Sequence, residues 1–235
     1  MAHQAFTAAP MSGRGHGRRR ELPGARQALL LAGLCLMALA LVWVVAELVP
    51  AARVRDVVAL REFTQLDGQK VGTVARFVLH LLDPPLFAIW GAVLVLVALV
   101  RERARVALAV ALVLTLAPLS ADRLKPLLAH PHARLGEVTI GAASWPSGHA
   151  TAAAALALCA VLVAPKRMQL HVGALGAAFA LAAGCAILIQ QWHLPSDVLG
   201  GYLMAGLWTA LAVAGVGFSE RRRSSTARAT AAPAR

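Results

Sequence analysis

The chain has 235 residues, 59% hydrophobic and 14% charged, with a mean hydropathy of +0.67. A water-soluble domain carries roughly 25% charged residues, so this composition excludes an ordinary soluble enzyme and points to lipid as its surroundings. The net charge of +12 does not indicate nucleic acid as a partner, because the arginines lie mostly in tails and short loops with few aromatics among them.

Residues 1–27 are polar and basic (Arg14, Arg18, Arg19, Arg20, Arg26), with Gly and Pro and no periodicity, and are expected to form a disordered tail. The apolar run 28–49 is longer than the about 7–15 residues of a signal-peptide core, which predicts an uncleaved spanning helix. Residues 51–82 are mixed. Val71, Val74, Val78 and Leu81 recur at helical spacing, predicting an amphipathic helix on the membrane surface. Lys70, Arg76 and His80 interrupt that stretch and argue against a further short span.

Five more spans are expected at 84–100, 106–121 (running on to 128), 150–164, 170–190 and 198–218. Some fall short of the about 20 residues needed to cross a bilayer, so flanking residues must complete them. Gly, Ala and Thr are abundant in the last three, as close helix packing in lipid favours. Residues 219–235 are basic, rich in Ser and Ala, and expected to be a second disordered tail. Cys35, Cys159 and Cys185 all fall in apolar runs and are expected to be small packing residues. The expected fold is all-α: a bundle of six transmembrane helices over 28–218, with a basic tail at each end.

Six crossings put both termini on one side, and charge selects which. The tails and the loops at 101–105 and 165–169 hold fifteen Lys/Arg against Glu21, Glu102 and Glu220. The other side holds eight Lys/Arg against eight acids. Cytoplasmic termini are therefore expected, with Lys125, His149 and His193 all on the extracytoplasmic side.

The chemistry-bearing residues stand at helix junctions. Trp145-Pro146-Ser147-Gly148-His149 precedes a helical run, so it would place N–H groups, a hydroxyl and an imidazole around one point at a positive helix end. Trp192-His193-Leu194-Pro195-Ser196-Asp197 occupies a second junction. A carboxylate four residues after a histidine can fix its tautomer and leave the other nitrogen as a nucleophile. His149 could act as general acid, with Lys125, the Ser147 hydroxyl and the Gly148 N–H holding phosphoryl oxygens. Taken singly, each has a plainer reading. Ser147 could cap a helix, His193 could sit at the interface beside Trp192, Asp197 could be a helix-start acid, and Lys125 could snorkel. No Cys/His/carboxylate cluster has metal-ligand spacing, so neither a metal nor another cofactor is expected.

Together, Pro146-Ser147-Gly148-His149, the His193/Asp197 pair and the preceding Lys125 resemble the type 2 phosphatidic acid phosphatase (PAP2) superfamily of lipid phosphate phosphatases. The motif resemblance covers roughly residues 120–205. It implies six membrane helices, an extracytoplasmic site and metal-independent hydrolysis through a phosphohistidine. It also implies roles: His193 as nucleophile, Asp197 as its orienting carboxylate, His149 as acid, and Lys125, Ser147 and Gly148 as phosphate ligands. Two positions depart from the family. In the first motif, K-x6-R-P, the Arg-Pro pair is replaced here by His132-Ala133, so His130-Pro131, His132 or Arg134 would have to substitute, with His132 and Arg134 ranking equally. The third motif carries an Arg six residues before its His, and here that position is Ile187. Neither His nor Gln reproduces a guanidinium fork, so restoring Arg at 187 would be expected to strengthen phosphate binding.

The expected activity is hydrolysis of a lipid phosphate or diphosphate in the plasma membrane of a bacterium. The implied substrates are phosphatidic acid, phosphatidylglycerophosphate or a polyprenyl (di)phosphate. A catalytically weak or silent lipid-phosphate-binding protein of the same fold is the alternative. A transporter is disfavoured, since no inverted repeat is found and the ionisable groups gather at one face.

Overall fold

The structure, a computed structural model, describes residues 24–129 and 140–230, with side chains as far as Ser219. Every regular element among the described residues is helical. The helices are α1 (Ala25–Leu48), α2 (Pro50–Thr64), α3 (Gln69–His80), α4 (Pro84–Val100), α5 (Ala104–Leu127), α6 (Gly148–Val163), α7 (Gln169–Ile189) and α8 (Pro195–Thr230). A 3-10 turn, Lys166–Met168, joins α6 to α7.

Proline sets several boundaries. Pro50 starts α2 after Val49 turns extended, and Pro195 opens α8. Pro84 and Pro85 start α4 after a bend of 54° from α3. Pro118 and Pro126 lie inside α5, as membrane helices tolerate.

Each expected span is a helix, but length separates them. α1, α5 and α7 (the last with its preceding 3-10 turn) and the 195–219 part of α8 are long and apolar enough to cross a membrane, and α3 with α4 makes a bent fifth candidate. α6 is a shorter apolar helix of 16 residues. The single surface helix expected in 51–82 is two, α2 and α3, split by the turn at 65–68. The backbone of α8 continues to Thr230, beyond residue 218 where the sequence expectation ends the bundle and begins a disordered tail. Residues 219–230, made only of Ser, Glu, Arg, Thr and Ala, hold no Gly or Pro to stop a long helix that runs into them.

α6 is the centre, packed against α4, α5, α7 and α8. Ala153, Ala155 and Cys159 are fully buried on it, and Val110, Val113 and Ala205 join them in the main core. Small side chains permit this spacing: a Cβ at Gly176 of α7 would lie 2.9 Å from the Ala157 Cβ. α1 packs antiparallel along α8, with Ala25 beside Gly217 and Cys35 beside Gly206. Its outer face presents Leu30, Leu34, Met37 and Leu41. A continuous exposed apolar face of that kind is suited to lipid. The chain is thus a multi-pass membrane protein.

Candidate active site

The ends of α5 and α7, the starts of α6 and α8, and the α3–α4 bend lie together at one end of the bundle. The α6 and α8 starts are joined through the backbone, with the Ser147 N–H donating to the Asp197 carbonyl at 2.9 Å. Two glycines of α8 make room for this. A Cβ at Gly200 would lie 2.8 Å from the Trp145 Nε1, and one at Gly201 would lie 2.6 Å from the Ser147 carbonyl oxygen. Any larger residue at 201 would push the two junctions apart.

Asp197 is fully buried, and its Oδ2 accepts from Leu194 N–H and pairs with His193 Nδ1, each at 3.1 Å. The His193 side chain is 12% exposed. A carboxylate on Nδ1 holds the ring with Nε2 directed away from Asp197, the arrangement a histidine nucleophile requires. The carboxylate's second oxygen, Oδ1, is buried without a protein partner.

Ser147 is the N-cap of α6, its Oγ accepting from Ala150 N–H at 3.4 Å. It is fully buried, so the capping role read from its sequence is its role in the fold. That bond uses an acceptor lone pair and leaves the hydroxyl proton. The half-buried His149 ring stands 5.2 Å from the Trp192 ring, tilted by 58°. It lies within electrostatic reach of His193, Lys125, Asp83 and Asp122. Lys125 Nζ donates to Asp122 Oδ1 at 2.8 Å. Both side chains flank Gly148, where a Cβ would stand 3.3 Å from the Asp122 oxygen and 3.6 Å from the Lys125 nitrogen. A side chain at 148 would therefore press on the Asp122 carboxylate that holds the ammonium.

The structure thus brings His149, His193, Asp197, Ser147, Gly148 and Lys125 to one place. His132 and Arg134 lie outside the described residues. Beside the cluster opens a cleft of about 420 Å³ lined by Arg76, Phe77, Leu79, His80, Asp83 and Trp192. His80 Nδ1 and Asp83 Oδ2 pair across the α3–α4 bend. Ile187 is fully buried among Val57, Leu60, Ala75 and Leu79. An arginine there would meet an apolar cluster formed by α2 and α3, which corrects the expectation that restoring Arg would improve the site. No group of three or more His, Cys, Asp or Glu side chains suited to a metal occurs among the described residues.

Asp56, Asp83 and Asp122 adjoin this site, and sequence reasoning assigned none of them a role there. Asp122 was discernible, because it stands three residues before Lys125 on one helix and so can pair with it. Asp56 and Asp83 carry no local pattern that points to the site.

A helical membrane bundle with two imidazoles, a buried carboxylate and an ammonium gathered at one end defines a class, membrane proteins built to handle an anionic group at a helix-end pocket. The sequence profile of the PAP2 superfamily matches residues 103–221, about half of the chain, and the chain belongs to that superfamily. Among solved structures, the first transmembrane PAP2-type phosphatidylglycerolphosphate phosphatase, from Bacillus subtilis, is similar in fold. The TM-score is 0.63 at 21% identity, over 81% of this chain and 96% of that one. No curated protein matches the chain. The matched segment begins at the α5 start and contains all four junction residues Lys125, His149, His193 and Asp197, whereas α1–α4 precede it.

Proposed function

We propose that the chain is a membrane phosphatase that hydrolyses a lipid phosphate or diphosphate through a phosphohistidine intermediate. The observation that carries this is the His193–Asp197 pair at 3.1 Å, joined by backbone to the helix start that bears His149, in a chain of the PAP2 superfamily. Asp197 holds Nδ1 of His193, and Nε2 attacks phosphorus in line. His149 gives a proton to the departing lipid oxygen. Water, deprotonated by the same ring, then releases phosphate from His193. Lys125, the Ser147 hydroxyl and the Gly148 N–H stabilise the phosphoryl oxygens as charge redistributes, with His132 and Arg134 as further cations. The residues present call for no metal in any of these steps.

Six crossings are proposed: α1, α4, α5, α6, α7 and α8, with α2 and α3 at the surface. The short α6 crosses with its flanking residues, and the site end faces the extracytoplasmic side of a bacterial plasma membrane. The basic residues Arg101, Arg103, Arg105, Lys166 and Arg167 at the opposite end support that orientation. A lipid would then enter from the outer leaflet with its head group in the cleft beside Trp192. Phosphatidic acid, phosphatidylglycerophosphate and polyprenyl (di)phosphates are the substrates proposed.

Phosphate release from lipid phosphates by the purified protein in detergent is the test, with His193→Ala as control. Loss of at least about 10³-fold is expected for the variant; equal rates in both would remove the enzyme reading. The burial of Ile187, where the family carries an arginine, favours a second reading, a protein of this fold that binds a lipid phosphate without turnover. Saturable lipid-phosphate binding with no phosphate released would establish it.

A further inference from the structure

His193 can work as described only while Asp197 holds its ring, and Asp197 sits in the first turn of α8. The residue before it, Ser196, is gripped from a different part of the chain. Asp56 of α2 accepts the Ser196 N–H at Oδ1 (3.1 Å) and pairs through Oδ2 with the Ser196 Oγ (2.5 Å), across 140 residues of sequence. A carboxylate at that place caps an otherwise unpaired helix-start donor and complements the positive end of the helix.

The grip is built in. Val57 and Leu60, next to Asp56 on the buried side of α2, pack into one cluster with Leu188, Ile189 and Leu194, which flank the His193 turn. At the start of α2, Arg53 pairs with the buried Glu47 carboxylate at 3.7 Å and also donates to the Glu47 carbonyl. The α1–α2 corner is therefore fixed as well. Burial pushes the Asp56 carboxyl above its ordinary range, as do the Asp197 and Glu47 carboxylates, while the two Ser196 bonds pull it down. A second carboxylate beside Asp197 is electrostatically unfavourable, so its presence there calls for a geometric reason.

We propose that Asp56 is a positioning residue: through its two bonds to Ser196 it sets the first turn of α8, and with it the Asp197 carboxylate and the His193 ring. This rests on the phosphatase reading. It extends that reading to a helix that precedes the family-matched segment.

The experiment measures kcat and KM for lipid phosphate hydrolysis by the full chain in detergent, together with orthovanadate affinity and melting temperature. Asp56→Ala should lower kcat about 10- to 100-fold, because small misplacement of a reacting group has effects of that size. KM and melting temperature should stay close to wild type. Asp56→Asn keeps an acceptor for the Ser196 N–H without the charge and should restore most of the rate. Asp56→Ala/Ser196→Ala should be no slower than Asp56→Ala alone, since Asp56→Ala already removes the hydroxyl bond that Ser196→Ala takes away. Orthovanadate, which mimics the five-coordinate phosphoryl group, should bind about tenfold more weakly to Asp56→Ala than to wild type or Asp56→Asn. An unchanged kcat in Asp56→Ala, equal losses in the Ala and Asn variants, or a rate loss that follows a lowered melting temperature would each overturn the proposal. If wild type releases no phosphate, the phosphatase reading falls while the vanadate comparison still decides the role of Asp56. Absence of vanadate binding by wild type would overturn both.

Discussion

The two sides of the candidate active site are built differently. On the α6–α8 side, a backbone hydrogen bond joins Ser147 to Asp197, two glycines hold the helices close, and a fully buried carboxylate orients His193. On the α5 side, Lys125 is tied to an Asp122 side chain that is 62% exposed, and the chain then leads into 130–139, outside the described residues. The first side fixes where bond making and bond breaking would occur. The second offers charge from a flexible stem. An ammonium can follow an oxygen over some distance, whereas a nucleophile and an acid must stand in line with phosphorus.

That contrast ranks the expected effects of substitution. The largest should come from the rigid side, where His149→Ala is expected to slow cleavage of lipid phosphates by about 10²–10⁴-fold. It should slow activated aryl phosphates much less, since their leaving groups need little protonation. Equal losses on both substrates, measured as kcat, would mean that His149 is not the acid. Ile187→Arg puts an unpaired guanidinium into the cluster under α2 and α3 and should destabilise the protein by about 3–5 kcal/mol. Thermal unfolding in detergent reads this, and a more stable variant with tighter phosphate binding would show that the pocket reaches residue 187. Gly201→Ala, whose Cβ would stand 2.6 Å from the Ser147 carbonyl, should cost about 1–3 kcal/mol by overpacking. It should lower kcat as well, because it separates the two junctions. On the adaptable side, Lys125→Ala should reduce kcat/KM by only about tenfold, the effect of one partly screened cation. A loss as deep as that of His149→Ala would erase the distinction between the two sides.

The sequence carried most of the helix map and the order of the chemical groups. Apolar runs separated by Pro and charged residues mark helices whatever their neighbours are, and every expected span has its helix. A helix at 148 follows from Ser147, because its capping chemistry is local. The division of 51–82 into two helices turned on Asp67-Gly68, a turn signal that the apolar periodicity at 71–81 overshadowed. The continuation of α8 past Ser219 was hidden because polar composition was weighed above the absence of any helix breaker. The contact between Asp56 and Ser196 could not be seen in one sequence, since 140 residues separate its partners and neither belongs to a recognisable pattern. The surroundings of Ile187 were equally out of sight. An isoleucine in a motif looks like a lost ligand until α2 and α3 are found packed over it.

The pairing of α1 with α8 has a topological consequence. With Ala25 against Gly217, the first and last helices are neighbours, and their outer ends lie at the pole of the bundle away from the histidines. The order of helices is then nearly a closed circuit. Linking those ends and cutting instead at the 165–168 connection, which lies at the same pole, would preserve the packing of helices α1–α8 and, with the six crossings proposed above, the sidedness of each one. The fold therefore places few demands on where its polypeptide begins, and many on the backbone meeting of residues 147 and 197.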